Sequence, residues 1–144
     1  MRLVDRRTGI EVIDRDECVR LLATQEVGRI GFSTGTGADI LPVNYVLDGD
    51  SVVFATAAGS KLHAAERGMV AFEVDDTDRV TRSGWSVVIH GRAHELTAYD
   101  APDLVARLRA LPLNPWAQGD KPNLVRITPQ TMTGRRVGQA GTTA

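Results

Sequence analysis

The chain has 144 residues, 42% of them apolar and 24% charged, and a formal net charge of −1. That length is enough to bury about two thirds of the unfolded surface in one core, and near-neutral charge gives no electrostatic footing for nucleic acid. No apolar run approaches the ~20 residues that span a bilayer, Met1-Arg2-Leu3-Val4-Asp5 does not open a signal peptide, and the lone Cys18 excludes an internal disulfide. The expectation is therefore one cytoplasmic domain over 1–144, with its core at about 14–137 and a flexible tail at 138–144.

In chain order, Asp14 and Glu17 make a capping-box-like start to a helix over 15–24, in which Cys18, Leu21 and Leu22 share a face. Cys18 reads as a small buried apolar residue rather than a reactive thiol. Val27 to Phe32 form a strand, and a Gly/Thr-rich turn follows. Leu41, Val43, Tyr45 and Leu47 then alternate with Pro42, Asn44 and Val46, and Asp48-Gly49 supplies the positive φ of a tight turn. A hairpin with Val52–Thr56 as its second arm is expected.

The segment after that arm carries the chemistry. Ala57-Ala58-Gly59 has almost no side chain, Ser60 is a good N-cap for a helix over 62–66, and free amides there would point at an anion. Lys61 stands beside them, and only Lys61 and Lys121 among 17 basic residues are lysines. A phosphate seat is one reading, and a plain cap with a solvated lysine is the other. The spacing fits neither a Walker loop nor a dinucleotide fingerprint.

Further along, 69–74 and 85–96 read as strands joined by a polar segment, 102–111 as a helix with Leu104, Val105, Leu108 and Leu111 on one side, and 124–127 and 132–137 as closing strands. On the strand at 85–96, His90, Arg92 and His94 share one face and Ile89, Gly91 and Ala93 the other. No carboxylate or cysteine completes a metal set with these histidines, so no metal site is assigned, and His63 is left outside the site. The pair Arg135-Arg136 is too short for a basic patch. Trp85 reads equally as a core or interface residue and as a neighbour of a flat cofactor, whereas Trp116, in a Pro-rich loop, reads as a cover over a groove.

Four blocks in order, P-V-N-Y-V-L-D-G-D-S-V-V-F-A-T-A-A-G-S-K-L, V-A-F-E-V-D-D-T-D, S-G-W-S-V-V-I-H-G-R-A and N-P-W-A-Q-G-D-K-P-N-L-V-R-I-T-P, resemble the pyridoxamine 5′-phosphate oxidase-like flavin-binding superfamily, nearest its nitroimidazole-reductase-like branch. The resemblance implies a mainly β split barrel of FMN-binding type with a few short peripheral helices. It also implies a homodimer holding FMN between subunits. On that likeness Pro42, Val43, Asn44 and Tyr45 meet the flavin's pyrimidine edge, with Tyr45 offering a flat surface, and Thr56, Ser60, Lys61 and Leu62 hold the ribityl phosphate. Trp116 and Arg126 reach the cofactor from the other subunit, and Trp85 is a further candidate.

Ala55 stands where relatives often carry arginine, which implies modest phosphate affinity. The Arg and His that hold pyridoxal phosphate in the vitamin-B6 oxidases have no match in V-R-I-T-P-Q-T-M-T-G-R-R-V. The implied activity is therefore hydride or electron transfer from flavin to an unidentified small-molecule acceptor, with NAD(P)H as a candidate donor. A 5-deazaflavin-dependent reductase and a non-catalytic flavin- or haem-binding module are the alternatives.

Overall fold

A computed structural model describes residues 3–56, 68–97, 99, 101–111 and 123–138. Ser60, Lys61, Leu62, His63 and Trp116 lie outside the described residues, as does the side chain of Thr56.

The chain runs β1 (Leu3–Val4), β2 (Glu11–Ile13), α1 (Arg15–Leu22), β3 (Val27–Thr34), β4 (Gly37–Asn44), β5 (Val46–Asp48), β6 (Ser51–Thr56), β7 (Met69–Asp78), β8 (Ser83–Leu96), α2 (Pro102–Arg109) and β9 (Asn123–Val137). All pairings among these strands are antiparallel. The sheet runs β1-β2-β9-β8-β7-β3-β4, while β5 pairs with β6 and β6 with β9.

Those pairings close a ring. β4 pairs with β3, the chain bends through Tyr45 into β5, and β5 pairs with β6, which returns through β9, β8 and β7 to β3. A single stretch of chain, 37–48, thus leaves one neighbour and joins another, so the protein is a mainly β split barrel. The Tyr45 amide donates to the Glu26 carbonyl at 3.0 Å, which fixes the bend against the start of β3.

Alternation builds the interior. Ile30 and Phe32, Phe72 and Val74, Val87 and Ile89, and Val125 and Ile127 point inward from β3, β7, β8 and β9 and are almost wholly buried; their intervening neighbours face out. Helix α1 covers one side of this core with Cys18, Leu21 and Leu22, and the Asp14 carboxylate caps it by accepting from the Glu17 amide at 2.9 Å. The Cys18 thiol is fully buried, and burial pushes its pKa up. Helix α2 buries Leu104 and Leu108 against Val46, Val53 and Leu124 in a second cluster. Among the described residues no helix is long and apolar enough to cross a membrane.

Three elements depart from the sequence reading. The hairpin arm expected over 41–47 is divided, since only 46–48 pair with 51–53 while 37–44 pair with β3. The polar segment between β7 and β8 is mostly strand, with 79–82 alone forming the turn. The two closing strands are one, and the irregularity that separates them in sequence is a bulge: His90 pairs with Thr131 and Gly91 with Pro129. Pro129 has no N–H to give to a ladder, so the strand slips a residue there. Gly91 is required opposite it, because a Cβ would stand 2.1 Å from the Thr128 carbonyl oxygen.

Candidate cofactor site at the split strand

Among the described strands, β4 is paired along one edge only, by β3. Its other edge leaves alternate backbone carbonyls and amides unpaired by any described strand, and Pro42, lacking an N–H, keeps that edge weighted toward acceptors. Val43 lies opposite Gly28 on the inward face and packs partly buried against the core. Pro42 and Asn44 lie opposite Arg29 and Val27 on the outward face, because directly opposed antiparallel residues share a face.

Asn44 is the unusual member. It is 8% exposed, and its Oδ1 has no hydrogen-bond partner among the described residues. A buried amide oxygen left unpaired costs about 1–3 kcal/mol, so the site is built to receive a donor. Placed at the last residue before the bend, this acceptor adjoins the open edge of β4.

Tyr45 is differently used. Its ring is 2% exposed, packs edge-on against Phe72 at 5.2 Å between centroids, and sends its hydroxyl to the Leu22 carbonyl. Burial lifts its hydroxyl pKa well above that of a free phenol. The flat surface expected of Tyr45 is therefore spent inside the barrel, because the inward face of 41–47 continues through the bend. Only its backbone stays near the open edge.

Thr56 ends β6 opposite Asn123, and β6 comes close to β4. Arg126 lies opposite Val53 on β9, its guanidinium 2.6 Å from the carboxylate of Asp48 at the hairpin turn. Gly49, with φ of 64°, lets that turn close. Within one chain the structure thus gathers 42–45 at the split, with Thr56 and Arg126 on the two strands that follow the split strand around the barrel. Trp85 is elsewhere, on β8, half-buried against the core and separated from β4 by β7 and β3.

One group of side chains escaped the sequence reading. Arg29 stands between Pro42 on β4 and Glu73 on β7, on the outward face, and its Nη1 lies 3.3 Å from Glu73 and 3.5 Å from Asp75. Desolvation, followed by the hydrogen bond and charge of Asp75, pushes the Glu73 carboxyl up to about 7 against the opposing pull of Arg29. The period-two pattern of V-A-F-E-V-D already places both acids on one face. Their shared arginine comes from β3 and is visible only once the strands pair. On β8 the exposures of His90, Arg92 and His94 and the burial of Ile89, Gly91 and Ala93 agree with the expected alternation.

The whole arrangement has relatives. Residues 14–136 match the family profile described as pyridoxamine 5′-phosphate oxidase. An uncharacterized protein of Mycobacterium tuberculosis is 37% identical over 131 residues, covering 87% of this chain and 84% of the relative. Among solved structures, an FAD-binding protein from Mycobacterium smegmatis superposes with a TM-score of 0.67 at 30% identity, covering 89% of this chain and 98% of that one. A conserved protein of unknown function from Corynebacterium diphtheriae gives a TM-score of 0.70 at 33% identity over 88% of this chain and 96% of that one. With the profile spanning nearly the entire barrel, the chain belongs to the pyridoxamine 5′-phosphate oxidase family.

Proposed function

We propose that the protein is a flavin-dependent oxidoreductase that binds FMN at the open edge of β4 and works in the cytoplasm as a homodimer. The observation that carries this reading is the buried Oδ1 of Asn44, unpartnered among the described residues, beside an acceptor-rich strand edge. A flavin's pyrimidine edge pairs an N–H donor with carbonyl acceptors, which suits such an edge. Family membership and the likeness to an FAD-binding protein support the same ligand class.

When bound, the flavin supplies hydride or electron transfer, and the chain supplies orientation and exclusion of water. Pro42 offers its backbone carbonyl and Asn44 its amide oxygen, while Val43 between them turns its backbone groups to Gly28 of β3; Thr56, Ser60 and Lys61 offer the hydroxyls and charge that a phosphate requires. Leu62 opens the helix expected after that seat. Trp116 and Arg126 of the partner subunit would close the groove. NADH or NADPH is the proposed reductant, and the acceptor is a small molecule.

Asn44→Leu tests the carrying observation, because its two effects have opposite signs. Removing an unpaired buried acceptor should leave the ligand-free protein as stable as wild type or more so, while flavin affinity falls at least tenfold. A destabilised variant with unchanged flavin affinity would show that Asn44 serves the fold alone. Reduction of the bound flavin by NADH or NADPH, with reoxidation by an added acceptor, separates the enzyme from a non-catalytic binding module. Binding of a 5-deazaflavin in preference to FMN would keep the seat and change the cofactor.

A further inference from the structure

A groove of about 470 Å³ opens beside the β7–β8 turn. It is lined from β7, β8 and β9, of which β7 lies two strands from β4 in the sheet order. Its charged groups fall into two classes.

The acids are engaged. Asp75 is 3.5 Å from Arg29, and the Asp78 carboxylate accepts from the amides of Val80 and Thr81 at 2.9 and 3.2 Å. The arginines are not. Arg135 and Arg82 line the groove and make no ion pair or hydrogen bond through their side chains among the described residues.

Neighbouring arginines in sequence are thereby sorted to different tasks. Arg136 turns to the α1 side, where it holds Glu11 at 3.5 Å and Glu17 at 3.2 Å. Arg135 faces the opposite way, in register with Ser86 across β8 and Val12 across β2. Arg82 is presented by a turn that Asp78 fixes, with φ of 55°.

The floor beside these guanidiniums is mixed. Thr77 and Ser86 add hydroxyls, and Ile10 and Val137 form an apolar flank. Beyond that flank the exposed side chains of Val12 and Leu3, opposed in register on the same face, extend it. Two unspent guanidiniums, hydroxyl donors and an adjoining apolar strip describe one ligand chemistry: a carboxylate or phosphate carried on an apolar body.

We propose that the groove between the β7–β8 turn and the end of β9 is a second ligand site, in which Arg135 and Arg82 hold the anionic head of a small amphipathic molecule and Ile10 and Val137 its apolar part. The site is separate from the strand edge assigned to the cofactor. Arg135 is the principal contact, because it stands at the centre of the face, whereas Arg82 reaches in from the turn.

Titration of the full-length, flavin-supplemented protein with phenyl phosphate, followed by amide NMR shifts, tests the proposal. Saturable shifts should appear at 82–86 and 135–137, with affinity at least tenfold above that for inorganic phosphate. Benzoate should act at the same amides, and benzyl alcohol should not bind. Arg135→Gln should weaken phenyl phosphate binding at least tenfold and Arg82→Gln severalfold, both with an otherwise unchanged spectrum. Shifts confined to other residues, shifts that do not saturate, or an Arg135→Gln variant with wild-type affinity would overturn the site. Equal affinity for inorganic and phenyl phosphate would overturn its amphipathic character.

Discussion

The hydroxyl of Tyr45 donates to the backbone carbonyl of Leu22. Leu22 ends α1, where helical carbonyls have no partner within the helix, and Tyr45 sits where the split strand changes neighbours. One side chain therefore ties the helix end to the bend that closes the barrel. Tyr45→Phe should cost about 1–1.5 kcal/mol and lower the melting temperature by roughly 3–6 °C. Flavin affinity should hold, since the ring is inside the core. A loss of flavin binding without loss of stability would return the ring to the cofactor site.

Arg136 and Arg135 should differ sharply in stability experiments. Glu11 is 7% exposed, and Arg136 is 3.5 Å from its carboxylate while also meeting Glu17, whose carboxyl is held at about 2, chiefly by Arg20. Arg136→Ala removes the contacts with both Glu11 and Glu17 and should cost about 1.5–3 kcal/mol in urea unfolding. Arg135→Ala removes no ion pair and should stay within ~0.5 kcal/mol of wild type. Equal costs for the two variants would contradict the opposed orientations.

Glu73 should make the fold pH-sensitive near neutrality. Its folded-state pKa is raised from 4.5 to about 7, so the stability tied to its protonated form is full below the unfolded value and is lost as pH climbs through the folded one. Arg29 and Asp75 share its face, Val88 and Ser86 oppose the two acids from β8, and His90 stands next along β8. Between pH 5 and 8 wild type should lose about 1 kcal/mol relative to Glu73→Gln, a figure reduced from the full shift because the carboxyl keeps solvent contact. His90 is present in both proteins, so the difference isolates Glu73. Parallel stability curves for the two proteins would refute the assignment.

Lys61→Ala addresses the phosphate end. Loss of one charge-assisted contact should weaken FMN binding by roughly 1.5–3 kcal/mol, or ten- to a hundredfold. Riboflavin, which lacks the phosphate, should bind the variant as it binds wild type. Equal losses for both ligands would place Lys61 in folding rather than in phosphate recognition.

Much of the barrel is legible in the sequence because its strands are long and alternate. The face assignments of His90, Arg92 and His94, the capped helix from Arg15 and the buried Cys18 all follow from local periodicity. The partner switch at Tyr45 does not, since Leu41 to Leu47 alternates without a break and nothing local says that the two halves pair with different strands. β1 and β2, with two and three residues, are too short for a period to register. At the candidate site, the assignment of Pro42 to Tyr45 comes from family resemblance, whereas the lack of a partner for Asn44 Oδ1 among the described residues is a property of packing that no local pattern shows. The Arg29–Glu73–Asp75 group likewise joins two strands far apart in sequence, and only their register brings it together.

On the proposed function, the open edge of the split strand and the Ser60-Lys61 segment together seat a phosphate-ended flavin. Calorimetric titration of the ligand-free full-length protein with FMN, run beside riboflavin and repeated on Asn44→Leu, tests it most directly. Saturable FMN binding, weaker riboflavin binding and at least a tenfold loss for both ligands in the variant are expected. Absence of FMN binding, or binding that is equal for FMN and riboflavin and indifferent to Asn44, would contradict it.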